Sequence, residues 1–267
     1  MHLLKNFKAQ AIIFDKDGTL IDFDAMWGNW TLQLADRLQA SVKLDIRQAL
    51  CESYGYDIAR RKILPDGKLT CTPMWRLREL LVDVLKSLGI STTAAFCAVE
   101  KAWYVPDPVT LARPFTDTHK LFTNIHKLGI KIAIATTDNR EPTEAMLEAF
   151  GVTNLVTTMV CADDNIKVKP APDMVTTICA RMNVDPCSVI IVGDTVADLQ
   201  MARSAGAGYV IGVLSGVGLL ANLIPLVDVL IDTVDTLQES FIVKEHIETP
   251  LPETAETLTV LNPDLAY

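Results

Sequence analysis

Two aspartates, Asp15 and Asp17, directly follow the apolar run Ala11-Ile12-Ile13-Phe14. In an extended chain alternate side chains share one side, so both carboxylates face the same way and Lys16 points away from them. Gly18 permits a tight reversal after the pair. The two carboxylates repel each other unless a cation offsets their charge, and a hard cation such as Mg²⁺ takes oxygen ligands. An Asp-Gly turn with capping aspartates explains the same residues, so two interpretations stay open at this segment.

A second acidic segment, Gly193-Asp194-Thr195-Val196-Ala197-Asp198, follows another apolar run. Asp194 stands where that run ends. Thr195 and Asp198 form the T-x-x-D pattern of a helix capping box. Capping accounts well for Asp198 and less well for Asp194. Both roles hold for Asp198 if it reaches a bound metal only through water.

Thr136 stands at the end of a third apolar run, in Thr136-Thr137-Asp138-Asn139. A hydroxyl and backbone N–H groups at such a position can bind phosphoryl oxygens. The alternative is a helix start with Asn139 as its N-cap and a proline in its first turn. The two functions are compatible on one loop.

Lys169 begins the segment Lys169-Pro170-Ala171-Pro172-Asp173, in which two prolines stiffen the chain. An ammonium held in place there can offset the charge on a phosphoryl group and on the aspartate that accepts it. A solvated lysine before a proline-initiated helix explains the same residues. Lys167 is a nearby competitor for the role.

The elements that position these four segments alternate along the chain. Runs that are apolar on both faces predict strands covered on both sides, hence a parallel sheet. Helical patterns lie between them, and several end at a glycine. The sequence therefore predicts an α/β fold with a doubly wound, Rossmann-like core, in which all four segments converge at the carboxyl edge of one sheet. The predicted strands are 11–14, 131–135, 155–160, 189–192, 209–213 and 229–231, and the predicted helices are 118–128, 142–150, 171–182 and 196–205.

Residues 22–112 break this alternation. Helical patterns occur near 25–40, 45–53, 73–88 and 92–103, and no strong strand lies among them. We therefore predict an all-helical cap (22–112) inserted into an α/β core (1–21 and 113–243), followed by a C-terminal extension (244–267). The basic run Arg60-Arg61-Lys62 in the cap can meet a substrate carboxylate or a second phosphate, although a solvated run is the more ordinary interpretation. The core of the cap is expected to contain Trp27, Trp30, Trp75 and Trp103, although Trp27 and Trp30 are also candidates to line the cleft beneath it.

Composition narrows the class of protein. The chain has 267 residues, of which 49% are apolar, and a formal net charge of −9. A general nucleic-acid or anionic-membrane binder is usually basic, so neither partner is expected. The six cysteines form no C-x-x-C pair, which indicates reduced thiols in a cytoplasmic protein. The uncharged stretch 209–227 contains three glycines and a proline, which favour a buried strand, a loop and a short helix over a membrane span.

Over about residues 9–240 the chain resembles the haloacid dehalogenase-like (HAD) superfamily of phosphohydrolases. It looks most similar to the phosphoglycolate-phosphatase-like members, which carry a helical cap after the first motif. Lys16 departs from the family pattern, because that position is more often apolar. The family's D-x-D-G-T matches Asp15–Thr19, its strand-terminal Ser/Thr matches Thr136, its K-P-x-P-D matches Lys169–Asp173, and its G-D-x-x-x-D matches Gly193–Asp198.

The resemblance implies a role for each motif residue. Asp15 is the nucleophile that becomes an aspartyl phosphate, and Asp17 protonates the leaving oxygen and then activates water. Thr136 and Lys169 hold the transferring group. The cap closes over the site and excludes water.

The resemblance also implies a Mg²⁺ cofactor. Asp15, the Asp17 carbonyl and Asp194 would hold the ion, with Asp198 nearby or acting through a second layer of ligands.

These implications predict a Mg²⁺-dependent phosphatase of a small phosphorylated metabolite, with phosphoglycolate as the first substrate to try. Asp17 argues against a dehalogenase, which needs no acid at that position. The alternatives are a phosphomutase acting on a sugar phosphate and a non-catalytic HAD-like binding protein, although such proteins often lack a motif residue. A monomer or a homodimer is expected, with no nucleic-acid or membrane partner.

Overall fold

A six-stranded parallel sheet forms the centre of the fold. The computed structural model describes residues 7–65, 67–72 and 74–240. The strands of the sheet are β1 (Ala11–Phe14), β4 (Lys131–Ala135), β5 (Val156–Val160), β6 (Val189–Gly193), β7 (Tyr209–Val213) and β8 (Val229–Ile231), while β2 (Tyr56–Asp57) and β3 (Lys62–Ile63) form a separate antiparallel pair. The order across the sheet is β5-β4-β1-β6-β7-β8. β1 therefore lies between β4 and β6, and their carboxyl ends meet at one edge.

Alternation along β1 divides the core into two layers. Ile12 and Phe14 face one side of the sheet and Ala11 and Ile13 face the other, and all four are completely buried. Burying an isoleucine side chain stabilises the fold by about 1.5–3 kcal/mol, so both layers anchor this strand. This buried central strand therefore fixes the position of the acidic segment that begins at Asp15.

The chain between β1 and β4 forms the cap. Its described helices are α1 (Phe23–Val42), α2 (Arg47–Tyr54), α3 (Lys68–Cys71), α4 (Met74–Ser87), α5 (Thr92–Ala102) and α6 (Pro108–Leu111). Their apolar faces pack into a cluster around Trp30 and Leu81, separate from the two layers on the sheet. The four long helices agree with the predicted ones to within three residues.

The cap is helical except for the short β2–β3 pair, which the sequence did not predict. Strands of two residues are too short to show an alternating pattern. Asp24 in the first turn of α1 anchors the pair, because its carboxylate accepts the Ile63 N–H and contacts Lys62 Nζ, both at 2.6 Å. A buried acid on a helix thus holds this hairpin.

Helices cover both faces of the sheet. α7 (Thr118–Lys127), α8 (Arg140–Ala149) and α12 (Thr236–Ser240) pack on one face, and α9 (Asp173–Met182), α10 (Val196–Ser204) and α11 (Leu220–Leu223) pack on the other. The predicted fold class, a doubly wound α/β core with an inserted helical cap, is confirmed. Strands alternate with helices along the chain, and strands that are apolar on both faces need helices to cover both faces of the sheet.

The remaining predictions about the chain are partly tested. Among the described residues no helix is both long enough and apolar enough to cross a membrane, and the stretch 209–227 forms β7, a loop, α11 and a short 3₁₀ turn. The predicted C-terminal extension, 244–267, lies outside the described residues. The limits of cap and core, 22–112 and 113–243, stay a prediction.

Candidate active site

Asp15 lies directly after β1 and is 8% exposed. Its backbone N–H donates to the Val192 carbonyl of β6 over 2.9 Å, so the sheet itself holds this residue in place. Gly18 then adopts a φ of +85°, a left-handed conformation that glycine tolerates without strain. Its N–H donates to the Ile21 carbonyl over 2.8 Å and closes the predicted reversal. The first motif is thus a carboxylate at a strand end followed by a tight turn.

The ammonium of Lys169 bridges two of the predicted carboxylates. Its Nζ contacts Asp15 Oδ1 and lies 2.5 Å from Asp198 Oδ1. Burial opposes the charge of Lys169, but Asp15 and Asp198 outweigh this effect and raise the pKa of the ammonium, so it stays protonated. Lys167, its competitor in the sequence, is exposed. The structure therefore brings Lys169 to the acidic cluster.

Asp198 has partners on both carboxylate oxygens. Its Oδ2 accepts the Thr195 N–H at 3.0 Å and the Thr195 hydroxyl at 2.5 Å, while its own N–H donates to Thr195 Oγ1. The capping box indicated by the T-x-x-D pattern therefore forms at the start of α10. Since Oδ1 faces Lys169, this carboxylate suits a position beside a metal ion better than a direct bond to it.

Asp194 follows β6 and is 1% exposed. Its Oδ2 accepts the Val217 N–H at 3.0 Å, and its Oδ1 accepts the Thr19 hydroxyl at 3.4 Å. Burial, together with the nearby charges of Asp15 and Asp198, raises the pKa of Asp194 well above its ordinary value. A cation at this point would favour the charged form of the carboxylate.

The loop that follows β7 covers Asp194, and sequence reasoning missed its part in the site. A Cβ at Gly216 would lie 1.9 Å from Asp194 Oδ2, and one at Gly218 would lie 2.0 Å from the Asp194 carbonyl oxygen. Ser215 Oγ donates to the Gly18 carbonyl over 2.7 Å, which ties this loop to the first motif. Two glycines spaced two apart after a predicted strand are the signal that could have found the loop.

The acidic cluster fits a hard divalent cation. One carboxylate oxygen from each of Asp15, Asp194 and Asp198 lies within 4.8 Å of the others. Mg²⁺ takes oxygen ligands and is commonly held by one or two carboxylates, with substrate phosphate and water completing its shell. Burial raises the pKa of Asp15 to about 6, although Lys169 acts in the opposite direction. Three buried carboxylates beside one ammonium thus carry an excess of negative charge that such an ion would offset.

Thr136 is buried at the end of β4, on the same edge as Asp15. Its Oγ1 accepts the Asp138 N–H at 3.1 Å, so the hydroxyl can donate its own proton to a phosphoryl oxygen. Asn139 is the N-cap residue of α8, as predicted, although its side chain makes no capping hydrogen bond. The Arg140 N–H donates instead to the Asp163 carboxylate at 3.1 Å. A carboxylate from the loop after β5 thus accepts the first backbone N–H of α8.

Lys16 does not point away from the predicted chemistry, and that prediction was wrong. Its ammonium lies 2.7 Å from Asp17 Oδ2 and 3.1 Å from Asp138 Oδ2, and the residue is 1% exposed. Alternation of side chains applies only within a regular strand, and β1 ends at Phe14 before the chain turns. The other oxygen of Asp17, Oδ1, is buried and has no hydrogen-bond partner among the described residues.

Asp17 thus stands apart from the acidic cluster. Its carboxylate is held by Lys16, while the cluster that could hold a metal consists of Asp15, Asp194 and Asp198. The predicted contribution of Asp17 to metal binding was through its backbone carbonyl, and that contribution stays a prediction. A carboxylate that is outside the cluster and carries an unpaired oxygen is suited to proton transfer.

Replacing Lys16 by methionine tests the ion pairs of this side chain. Met fills a similar volume without charge, so Lys16→Met leaves Asp17 and Asp138 facing each other without the ammonium. We expect a loss of about 1–3 kcal/mol in the free energy of unfolding, since buried polar groups lose a partner. Denaturant unfolding measures this loss.

A double substitution provides the matched test. Adding Asp138→Asn to Lys16→Met removes one of the two unpaired carboxylates and should recover part of the stability. Lys167→Met, an exposed lysine, serves as the control and should change little. Equal stability of wild type and Lys16→Met would contradict the pairing.

The tryptophans of the cap divide between its core and the cleft. Trp30 is completely buried in the cap, and Trp103 packs edge-on against it at 5.5 Å between ring centroids. Trp27 is half-buried and lines a cleft between cap and core. Trp75 is 65% exposed, so the prediction that it packs the core of the cap was wrong.

Comparison with known proteins identifies the family. The sequence model of the haloacid dehalogenase-like hydrolases matches residues 9–206. The chain belongs to the haloacid dehalogenase-like hydrolase family. The match confirms the resemblance inferred from the four motifs, and all four motifs lie within the matched region.

Relatives of this HAD-like chain are named as phosphatases. It is 24% identical to the N-acetylmuramic acid 6-phosphate phosphatase of Pseudomonas aeruginosa, over 76% of this chain and 81% of that protein. It is 26% identical to the phosphoglycolate phosphatase of Rhodospirillum rubrum, over 76% of this chain and 78% of that protein. These names are consistent with the predicted enzyme class, a phosphoric monoester hydrolase.

A solved structure supports the fold. A HAD-superfamily hydrolase of subfamily IA from Geobacter sulfurreducens aligns with a TM-score of 0.61 over 87% of this HAD-like chain and 98% of that protein, at 15% identity. At this identity the likeness concerns the fold alone.

Proposed function

We propose that this protein is a Mg²⁺-dependent phosphatase that hydrolyses a small phosphorylated metabolite through an aspartyl-phosphate intermediate. The observation that carries the proposal is the surroundings of Asp15. This buried carboxylate contacts the Lys169 ammonium and lies within 4.8 Å of oxygens of Asp194 and Asp198. A nucleophile, a fixed cation and a cluster of oxygen ligands are the parts that phosphoryl transfer requires.

In the first half of the proposed reaction, a carboxylate oxygen of Asp15 attacks phosphorus while the bond from phosphorus to the leaving oxygen breaks. Asp17 donates a proton to that leaving oxygen. Lys169 and the Thr136 hydroxyl bind the phosphoryl oxygens and hold them in line with Asp15. Asp15 and Asp194 would hold a Mg²⁺ ion, whose charge would offset that of the carboxylates and the phosphoryl group.

In the second half, Asp17 takes a proton from water, and the resulting oxygen attacks phosphorus of the aspartyl phosphate. The bond from phosphorus to Asp15 breaks, inorganic phosphate leaves, and the Asp15 carboxylate is restored. Asp17 therefore acts once as an acid and once as a base. Its held Oδ2 and unpaired Oδ1 support this dual role.

Phosphate release from a panel of phosphomonoesters tests the proposal. We expect release in Mg²⁺ and loss of release after removal of the metal with EDTA, with recovery when Mg²⁺ is restored. A generic aryl phosphate belongs in the panel, because its leaving group makes few demands on the cap. Absence of hydrolysis of every ester by a well-folded preparation would contradict the enzyme assignment.

The same assay separates the phosphatase from the alternative, a phosphomutase. A mutase moves the phosphoryl group between positions of one sugar, and a phosphatase liberates inorganic phosphate. Chromatography of the products of a sugar phosphate distinguishes the two outcomes.

A further inference from the structure

A cleft of about 420 Å³ lies between cap and core, and one of its lining residues contacts the same lysine as the predicted acid. This volume is within the range of pockets that hold small molecules, about 300–1,000 Å³. Asp138 lines the cleft and shares the Lys16 ammonium with Asp17, at 3.1 and 2.7 Å respectively. In the proposed reaction Asp17 faces the leaving oxygen, so the cleft is where the released alcohol would lie.

The charged side chains that line the cleft are all carboxylates. They are Asp107, Asp138 and Glu141, and no Lys, Arg or His lines the cleft within the part of the chain that the structure describes. The Thr110 hydroxyl and the Val109 N–H both donate to Asp107 and hold the pKa of its carboxyl below its ordinary value, so it stays charged. The Lys16 ammonium, which contacts Asp138 of the cleft, is buried and is shared between two carboxylates.

The basic run Arg60-Arg61-Lys62 has partners within the cap. Arg60 pairs with Asp57 at 3.5 Å, and Lys62 pairs with the buried Asp24. Arg61 lies beside the Tyr56 hydroxyl, where its charge opposes the rise in the pKa of that group caused by burial. The run that was a candidate to meet a substrate carboxylate is therefore paired within the cap and does not line the cleft.

The apolar part of the cleft also suits a neutral or positively charged ligand. Met26, Trp27 and Val105 contribute to its wall, and Trp27 is half-buried. The face of a tryptophan attracts cations and packs against the C–H faces of small molecules. A lining that combines an aromatic side chain with carboxylates suits a neutral or positively charged group.

We propose, on the basis of the proposed phosphatase function, that the substrate is the phosphate ester of an uncharged or amine-bearing alcohol, such as a sugar or an amino sugar. An alcohol that carries a carboxylate or a second phosphate is disfavoured. Such a group would enter a cleft that has three carboxylates and, among the described residues, no basic side chain in its lining, and like charges repel at close range. Phosphoglycolate, the first substrate indicated by the sequence, falls in the disfavoured class.

Two matched sets of esters test this preference. The two-carbon set is O-phosphoethanolamine, 2-hydroxyethyl phosphate and 2-phosphoglycolate, which differ in the terminal group. The six-carbon set is glucosamine 6-phosphate, glucose 6-phosphate and 6-phosphogluconate. We expect kcat/KM to be higher for the amine than for the carboxylate in each set, by on the order of tenfold or more. The neutral ester should lie between them or equal the amine.

Charge removal at the cleft gives the direct test. The double variant Asp107→Asn/Glu141→Gln should lower the ratio of kcat/KM for amine over carboxylate, on the order of twofold for each charge removed. The control is Glu148→Gln, an exposed acid on the same helix as Glu141 that does not line the cleft, and its ratio should equal that of wild type.

The outcomes separate this proposal from the proposed function. If the aryl phosphate is hydrolysed but 2-phosphoglycolate and 6-phosphogluconate equal or exceed their amine counterparts, the substrate class is wrong and the phosphatase stands. An unchanged ratio in the double variant also overturns the substrate class. If no ester is hydrolysed, including the aryl phosphate, the phosphatase itself is wrong.

Discussion

An Asp15→Asn variant is expected to fold with the surrounding side chains close to their native positions. It should release no phosphate above background. An amide has the shape of the carboxylate but supplies no nucleophilic oxygen, so the aspartyl phosphate cannot form. We expect kcat to fall on the order of 10⁶-fold, the size of loss seen when a hydrolase loses its nucleophile. Phosphate release under single-turnover conditions measures this loss.

The surroundings of Asp15 explain why this variant should remain folded. Burial raises the pKa of Asp15 to about 6, so its charge is unfavourable in the protein without a metal. Asparagine removes that charge and the repulsion from Asp198, while Lys169 keeps its contact with Asp198. Thermal unfolding should therefore show a Tm close to that of wild type.

The control for Asp15→Asn is Asp36→Asn, the same change at an exposed acid on the outer part of the cap. It should retain full activity. Activity of Asp15→Asn above about one part in a thousand of wild type would remove the nucleophile role, because the remaining contacts alone supply only a residual rate.

Replacing Asp17 by asparagine should lower kcat by roughly 10²–10⁴-fold for esters of ordinary alcohols, the range that general acid catalysis contributes. An aryl phosphate should lose less in the first half of the reaction, because its leaving oxygen needs little protonation. The second half still needs Asp17 as a base. With an aryl phosphate, the phosphorylated form of Asp15 is therefore expected to accumulate.

Rapid quenching with a radiolabelled aryl phosphate measures this accumulation directly. In Asp17→Asn we expect a burst of phenol release close to one equivalent per protein, followed by a slow steady state. The Asp36→Asn control should show neither change. Near-normal turnover of alkyl phosphates by Asp17→Asn would contradict the acid and base roles, and a slow rate without phosphorylated protein would contradict the base role alone.

The fold was predictable because its signals are local. Runs such as Ile190–Val192 are apolar on both faces, and the glycines Gly129, Gly151 and Gly206 stand just past helix ends with positive φ angles. Periodicity and end signals of this kind depend only on neighbours in the chain. The β2–β3 pair was missed for the same reason, since two residues carry no period and Asp24 holds the pair from another helix.

The sequence by itself determined the family and the α/β core. It also placed the four motif segments at one edge of the sheet, because polar residues at the carboxyl ends of parallel strands lie together. The motifs also assigned Lys169 and Asp198 to the same site as Asp15, and in the structure Lys169 contacts both aspartates.

Only the tertiary structure decided which groups pair at that edge. Lys16 turns inward to Asp17 and Asp138, the Asp163 carboxylate accepts the first N–H of α8, and the loop at Gly216 encloses Asp194. The negative charge of the cleft could likewise not be predicted from the sequence, because its acids come from separate segments. The basic run Arg60-Arg61-Lys62 has its partners within the cap and does not line the cleft. Pairing of charges depends on distance in space, and beyond the end of a regular strand the spacing of residues along the chain no longer determines that distance.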